Sequence, residues 1–226
     1  SASDTWDQFD YHEPPVIGDY ISMAFENDHW IENGGRYSQD IQSNGSRVHT
    51  WNLAARTNIK GIVSLSLENP VEIPLYQDIR LVDTAMGLVY DLRTEDKVTF
   101  TSQDTENPYY FQLMVGAADD IQDQLDVMGM IPNRFELAQN IPNPFNPVTN
   151  IRVSLIEDAN ITLRVYNLLG EEMNTLALNR ALGKGNHRFI WAGKDDHGRQ
   201  LPSGVYLYRL EVMSRSGMPL YQDTKK

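Results

Sequence analysis

The strongest constraint on how this chain folds is a period of two. In Ile161-Thr162-Leu163-Arg164-Val165-Tyr166, and again in Val205-Tyr206-Leu207-Tyr208-Arg209-Leu210-Glu211-Val212, apolar and polar residues alternate. Side chains of a strand point to opposite faces in turn, so this spacing buries one face of a sheet and wets the other. Further short apolar or β-branched runs occur at Ile21–Phe25, Ile62–Leu67, Ile79–Val82, Val98–Thr101, Tyr109–Val115, Ile151–Leu155 and His187–Trp191. Turn signals such as Asn33-Gly34-Gly35, Met86-Gly87, Gly183-Lys184-Gly185 and Asp196-His197-Gly198 separate them, as they do in sandwiches. No amphipathic pattern supports a helix beyond two or three turns. The expected fold is all-β: two tandem β-sandwich (Ig-like) domains.

Charge places the boundary between them. The 226 residues carry 31 acids against 19 Lys and Arg, a net charge of −12, but residues 1–133 hold 22 acids and 7 bases while 134–226 hold 9 and 12. Between the halves, Asp119, Asp120, Asp123 and Asp126 precede Gly129 and Pro132, which suits an exposed linker or short helix better than a core strand. The expected organisation is an extended arm at 1–15, a β-sandwich module at 16–118, a linker at 119–133 and a second domain at 134–226. Ser1-Ala2-Ser3-Asp4 shows no Met and no basic-then-apolar leader, so the chain is read as a processed or excised piece of something longer.

Composition removes several function classes. With no cysteine, disulfides, thiolate zinc sites and cysteine nucleophiles are excluded. The acidic balance argues against nucleic acid, whose phosphates need a basic footprint. No apolar run is long enough for a transmembrane helix. His12, His29 and His49 lack metal-motif spacing, and no nucleophile elbow, phosphate loop or dinucleotide fingerprint occurs. The chain is therefore expected to be non-catalytic and without a cofactor. Calcium is the one metal with candidate ligands: Asp195 and Asp196, and the acidic groups Glu26/Asp28 and Asp119/Asp120/Asp123.

The second half carries the most specific text. It opens on Phe135-Glu136-Leu137-Ala138-Gln139-Asn140-Ile141-Pro142-Asn143-Pro144-Phe145-Asn146-Pro147, where three prolines each delete a backbone donor and bar the segment from a central strand. Then come Val165-Tyr166-Asn167-Leu168-Leu169-Gly170, Gly185-Asn186-His187 before Trp191, Asp195-Asp196-His197-Gly198-Arg199, and Ser203-Gly204-Val205-Tyr206. Trp191 is expected in the core with its indole N–H on one partner. Gly170 and Gly198 suit left-handed turn positions.

In this order the elements resemble the C-terminal sorting domain of the bacterial type nine (Por) secretion system, related to Ig-like flagellar-hook-cap domains. The resemblance runs from Phe135 to Lys226. The residues that carry it are Asn143, Pro144, Phe145, Asn146, Pro147, Gly170, Trp191, Asp195, Asp196, Gly198, Gly204, Tyr206, Lys225 and Lys226. It implies a secreted or cell-surface location, an outer-membrane translocon that reads the folded domain, and a surface peptidase that cuts in the linker. One departure is that the family's short apolar tail does not follow Tyr221-Gln222-Asp223-Thr224-Lys225-Lys226. The first half more loosely resembles β-sandwich modules that precede such domains. Asp83-Thr84-Ala85 has the form of an O-glycosylation signal of that bacterial group. Asn44-Gly45-Ser46 and Asn160-Ile161-Thr162 fit the N-glycosylation pattern.

Three function classes remain open on the residues. A spacer or binding module with a sorting domain is the first. A structural subunit of an extracellular fibre, assembled by adding the N-terminal arm (Trp6-Asp7-Gln8-Phe9-Asp10-Tyr11-His12-Glu13-Pro14-Pro15) to a neighbour's sheet edge, is the second. A carbohydrate-binding module is the third, with Trp6, Trp30 and Trp51 as the aromatics for polysaccharide.

Overall fold

A computed structural model describes residues 6–8, 10–30, 33–42, 45–68, 73–95, 97–102 and 107–226. Ser1-Ala2-Ser3-Asp4, Phe9 of the arm and Asn44 of the first glycosylation pattern lie outside the described residues. The described residues are all-β apart from one helix, and the chain divides into two compact units, Ser1–Met128 and Gly129–Lys226. No helix among the described residues is long and apolar enough to cross a membrane.

The first unit contains β1 (Tyr11–His12), β2 (Ile21–Glu26), β3 (Arg36–Gln39), β4 (Val48–Thr57), β5 (Gly61–Leu65), β6 (Asp78–Asp83), β7 (Leu88–Asp91), β8 (Val98–Ser102), β9 (Tyr109–Gly116) and the helix α1 (Ala118–Val127). Seven strands form one antiparallel sheet in the order β1-β3-β2-β4-β9-β6-β7, and β5 and β8 pair separately. Leu53, Ala55, Leu81 and Phe111 on one face of the wide sheet share a core with Val63, Val98 and Phe100 of the ribbon. The unit is thus a wide sheet under a two-stranded ribbon, not two sheets of similar size.

The stretch expected as a linker at 119–133 is helical over most of its length. Ile121 and Leu125 are buried, four residues apart on one helix face. Gln124 Nε2 donates to Thr50 Oγ1 at 3.2 Å, on the opposite sheet face from Leu53 by the alternation of β4. The acidic residues, Asp119, Asp120, Asp123 and Asp126, take the remaining positions. Asp119 and Asp120 stand in the first turn, where carboxylates favour the helix dipole.

The second unit contains β10 (Glu136–Leu137), β11 (Thr149–Leu155), β12 (Ala159–Tyr166), β13 (Glu172–Leu182), β14 (Gly185–Trp191), β15 (Leu207–Ser214) and β16 (Pro219–Lys225). A three-stranded sheet, β10-β11-β14, faces a four-stranded sheet, β13-β12-β15-β16. The alternation in β12 is followed residue by residue: Ala159, Ile161, Leu163 and Val165 are buried and the residues between them half-exposed. They meet Ile151, Val153, Leu155, Phe189 and Trp191 of the facing sheet in one core. Fully burying each of the larger side chains contributes about 1.5–3 kcal/mol. β15 begins two residues later than its sequence suggests, at Leu207 and not Val205.

Candidate functional site

One end of the second unit is built from two connections, 138–148 between β10 and β11 and 192–206 between β14 and β15. The first is locked by a buried polar cluster. Asn140 donates its backbone N–H to Tyr208 Oη at 2.8 Å, and Tyr208 donates its hydroxyl to the Ala138 carbonyl at 2.9 Å. Asn140 Nδ2 donates to Thr149 Oγ1 at 2.9 Å, and Thr149 in turn donates to the Pro142 carbonyl at 2.9 Å. This satisfies donors and acceptors that a proline-rich segment cannot pair in a ladder. Burial pushes the Tyr208 phenol up to about 12, with Asp223 adding to the rise and the Asn140 N–H opposing it. The peptide bonds preceding Pro142, Pro144 and Pro147 are cis.

Between the two connections lies a cleft of about 490 Å³. Phe145 packs on Trp191 with ring centroids 5.1 Å apart, and Trp191 meets Tyr206 edge-on at 5.2 Å. The Trp191 indole N–H donates to the Lys194 carbonyl at 3.0 Å, and Tyr206 donates its hydroxyl to the Pro202 carbonyl at 2.7 Å. At the mouth, Gln139 Nε2 and Asn143 Nδ2 both donate to the Lys226 carbonyl, at 2.6 and 3.2 Å. Gly193, at φ +65, allows the close approach: a Cβ there would stand 3.0 Å from Gln200 Nε2 and 3.4 Å from Phe145 Cε2.

Nine of the residues singled out in the sequence line this cleft: Asn143, Pro144, Phe145, Asn146 and Pro147, then Trp191, Gly204, Tyr206 and Lys226. The others stand apart. Gly170 holds φ +82 in the turn between β12 and β13, and Gly198 holds φ +77 in the loop after β14. Lys225 Nζ lies 3.5 Å from Asp223. Asn140, Thr149, Gly193 and Tyr208 were not among the site residues expected from the sequence. Their roles depend on partners up to 68 residues away, and the nearest hint was the amide pair Gln139-Asn140 beside the proline tract.

Three of the carboxylates expected as calcium candidates, Asp195, Asp196 and Glu26, are engaged by N–H donors. Asp195 Oδ1 accepts the backbone N–H of His197 and Arg199 at 3.0 and 2.8 Å, and its Oδ2 accepts Arg199 Nε at 2.8 Å. Partial desolvation alone would raise the Asp195 carboxyl, but the Arg199 and His197 donors outweigh it and hold it below the ordinary value. Asp196 Oδ1 accepts the Thr175 N–H at 2.8 Å. Glu26 pairs with Arg56 at 3.0 Å. Among the described residues no group of three or more His, Asp or Glu side chains gathers to hold a metal ion.

The three tryptophans expected for sugar contact differ in exposure. Trp6 is 46% exposed, but Trp30 is 8% exposed and packs on Tyr37 at 5.1 Å, which corrects its place among the surface aromatics. Trp51 is half-buried on β4, stacked with His49 at 5.8 Å. The arm lies along its own sheet: Tyr11 and His12 pair with β3, and Glu13 bridges Arg36 at 2.7 Å. Thr84 of the Asp-Thr-Ala signal sits in the tight turn between β6 and β7, and Asp83 accepts the Met86 N–H at 2.9 Å.

No family model matches the chain, and no curated protein is similar to it. Among solved structures, dimeric latent PorU from Porphyromonas gingivalis is similar over 81% of this chain and 19% of that one, at 17% identity and a TM-score of 0.33. A beta-glucuronidase from Lactobacillus rhamnosus is similar over 94% and 45%, at 10% identity and a TM-score of 0.21. One from Ruminococcus gnavus is similar over 97% and 46%, at 7% identity and a TM-score of 0.22. The chain spans less than half the length of each of these proteins, and likeness at this level transfers neither fold nor function to it.

Proposed function

We propose that this chain is a non-catalytic C-terminal region of a secreted or cell-surface bacterial protein. The second unit is an Ig-like β-sandwich that serves as a sorting domain for the type nine secretion machinery. The first is a sandwich-like spacer or binding module. One observation carries the reading: residues that resemble the sorting family only as a scattered sequence pattern converge on one end of the second unit. Asn143 and Lys226, 83 positions apart, share a hydrogen bond there. A translocon that recognises a folded domain needs such a contiguous surface. The peptidase step falls in the connection near 128–133, between the units.

The test is export. The chain, placed behind a leader in a bacterium that has the type nine machinery, is expected at the cell surface or in the medium. A version lacking residues 134–226 is expected to stay in the periplasm. Equal export of both, or retention of the folded full chain, overturns the proposal.

A further inference from the structure

The outer face of the three-stranded sheet carries an unbalanced charge. Ile151, Val153 and Phe189 are buried, so by alternation Arg152 on β11 and Arg188 on β14 point away from the core. The two arginines are register partners. Like charges directly opposite on antiparallel strands repel across Cβ atoms about 4.5–5.5 Å apart. Arg134 and Glu136 stand beside them, and Glu136 lies 3.3 Å from Arg134 and 3.6 Å from Arg152. One carboxylate is thus shared, and the group of three arginines and one glutamate carries a net charge of +2.

The four-stranded sheet of the same unit solves the same problem within itself. Arg164 and Arg209 are also register partners, but Glu172 and Glu211 lie 3.4 and 3.8 Å from Arg164. The Arg209 guanidinium rests 5.2 Å from the centroid of the Tyr166 ring. Two arginines there meet two carboxylates, and that group is neutral. Around Arg152 and Arg188 the polar neighbours are tied down. Ser154 donates to Asn186 Oδ1 at 2.6 Å, Asn186 Nδ2 donates to the Met130 carbonyl at 3.1 Å, and Asn150 Nδ2 donates to the Ile141 carbonyl at 3.3 Å. Ile190, two residues beyond Arg188 on the same face, is 43% exposed.

We propose that this face, at Arg152 and Arg188, binds a phosphate monoester. Charge complementarity selects the occupant, because such a group carries about −1.5 to −2 at neutral pH against the +2 of the face. Shape selects it as well. One tetrahedral phosphate offers oxygens to both planar guanidinium forks at once, whereas a carboxylate fills a single fork. An anion held between the opposed arginines also relieves their repulsion. Ile190 gives the carbon of an ester a dry neighbour, an advantage that inorganic phosphate cannot use. This inference goes beyond the export reading and does not rest on it.

The experiment titrates the full chain, labelled with nitrogen-15, with phenyl phosphate and with inorganic phosphate at matched ionic strength. Saturable shifts of the Arg152 and Arg188 Nε–H signals are expected with both, at lower concentration with phenyl phosphate. Arg152→Gln and Arg188→Gln, checked for folding by circular dichroism, are each expected to weaken binding about tenfold or more. Arg209→Gln, on the neutral face, is expected to leave it unchanged. Ile190→Ala is expected to remove the advantage of phenyl phosphate while inorganic phosphate binds as before. Equal affinity for the two probes would assign the face to free phosphate and overturn the ester. No saturation at millimolar phenyl phosphate, full binding by either glutamine variant of the pair, the same shifts with sodium chloride alone, or tighter binding of an acetylated Glu-Glu peptide would overturn the site.

Discussion

Tyr208 links the proline-rich connection to the sheet beneath it, and its chemistry makes two predictions. Tyr208→Phe leaves the Asn140 N–H and the Ala138 carbonyl without their partner inside the fold. The expected cost is about 1–3 kcal/mol, read from denaturant unfolding of the second unit. The phenol is held at about 12, above its ordinary 10.0. A group with a raised folded value stabilises the fold below its unfolded value, so this contribution is intact below pH 10 and is lost as pH climbs toward about 12. The alkaline limb of the stability curve should flatten in Tyr208→Phe. Asp195 acts with the opposite sign. Its carboxyl is held low, so its contribution is present above the ordinary carboxylate range and lost as pH falls through the lowered value. Asp195→Asn should remove that acid-side dependence. Gly193→Ala forces a side chain into a left-handed position against Gln200 and Phe145, with about 1–2 kcal/mol of backbone strain expected in the same unfolding assay.

Elements were legible in the sequence in proportion to how one-sided their surroundings are. β12 has one dry and one wet face, and its alternation is plain. β4 and β13, ten and eleven residues long, were missed. β4 runs Leu53-Ala54-Ala55 with both faces covered, so its apolar residues are consecutive and lack the period of two. β13 is an edge strand of mixed polar and apolar residues, of which only Ala177 is buried. The helix α1 was legible only as an exposed linker or short helix, because its two buried residues stand among acids and amides. Ile121→Ala there should cost about 2–5 kcal/mol of first-unit stability, since Ile121 is 1% exposed. The arm yields a prediction with a sign. Because β1 covers the edge of β3 within its own unit, deleting residues 1–15 exposes that edge. Self-association should then increase, as measured by size-exclusion chromatography with light scattering. A fibre built by arm exchange would respond the other way, losing its polymers on deletion.

At the scale of the whole molecule, the two units differ most in charge, and the divide at Met128 and Gly129 leaves the 22 acids and 7 bases on one side. Limited proteolysis is expected to cut near Val127, which is 90% exposed. Downstream, Asn186 Nδ2 donates to the Met130 carbonyl at 3.1 Å and ties that residue to the second unit. Mass spectrometry should find two resistant fragments, of which only the first binds an anion exchanger at neutral pH; primary cuts inside 134–226 would contradict the two-unit division. The sequence by itself determined the all-β class and the backbone limits of the proline tract, because each is written in local periodicity or backbone chemistry. Only the tertiary structure decided that the first unit is a wide sheet under a ribbon, that Trp30 is buried, and that Asn143, Trp191, Tyr206 and Lys226 meet at one cleft. Those outcomes depend on strand order and register, which are set by contacts between residues far apart in the chain and leave no period to read.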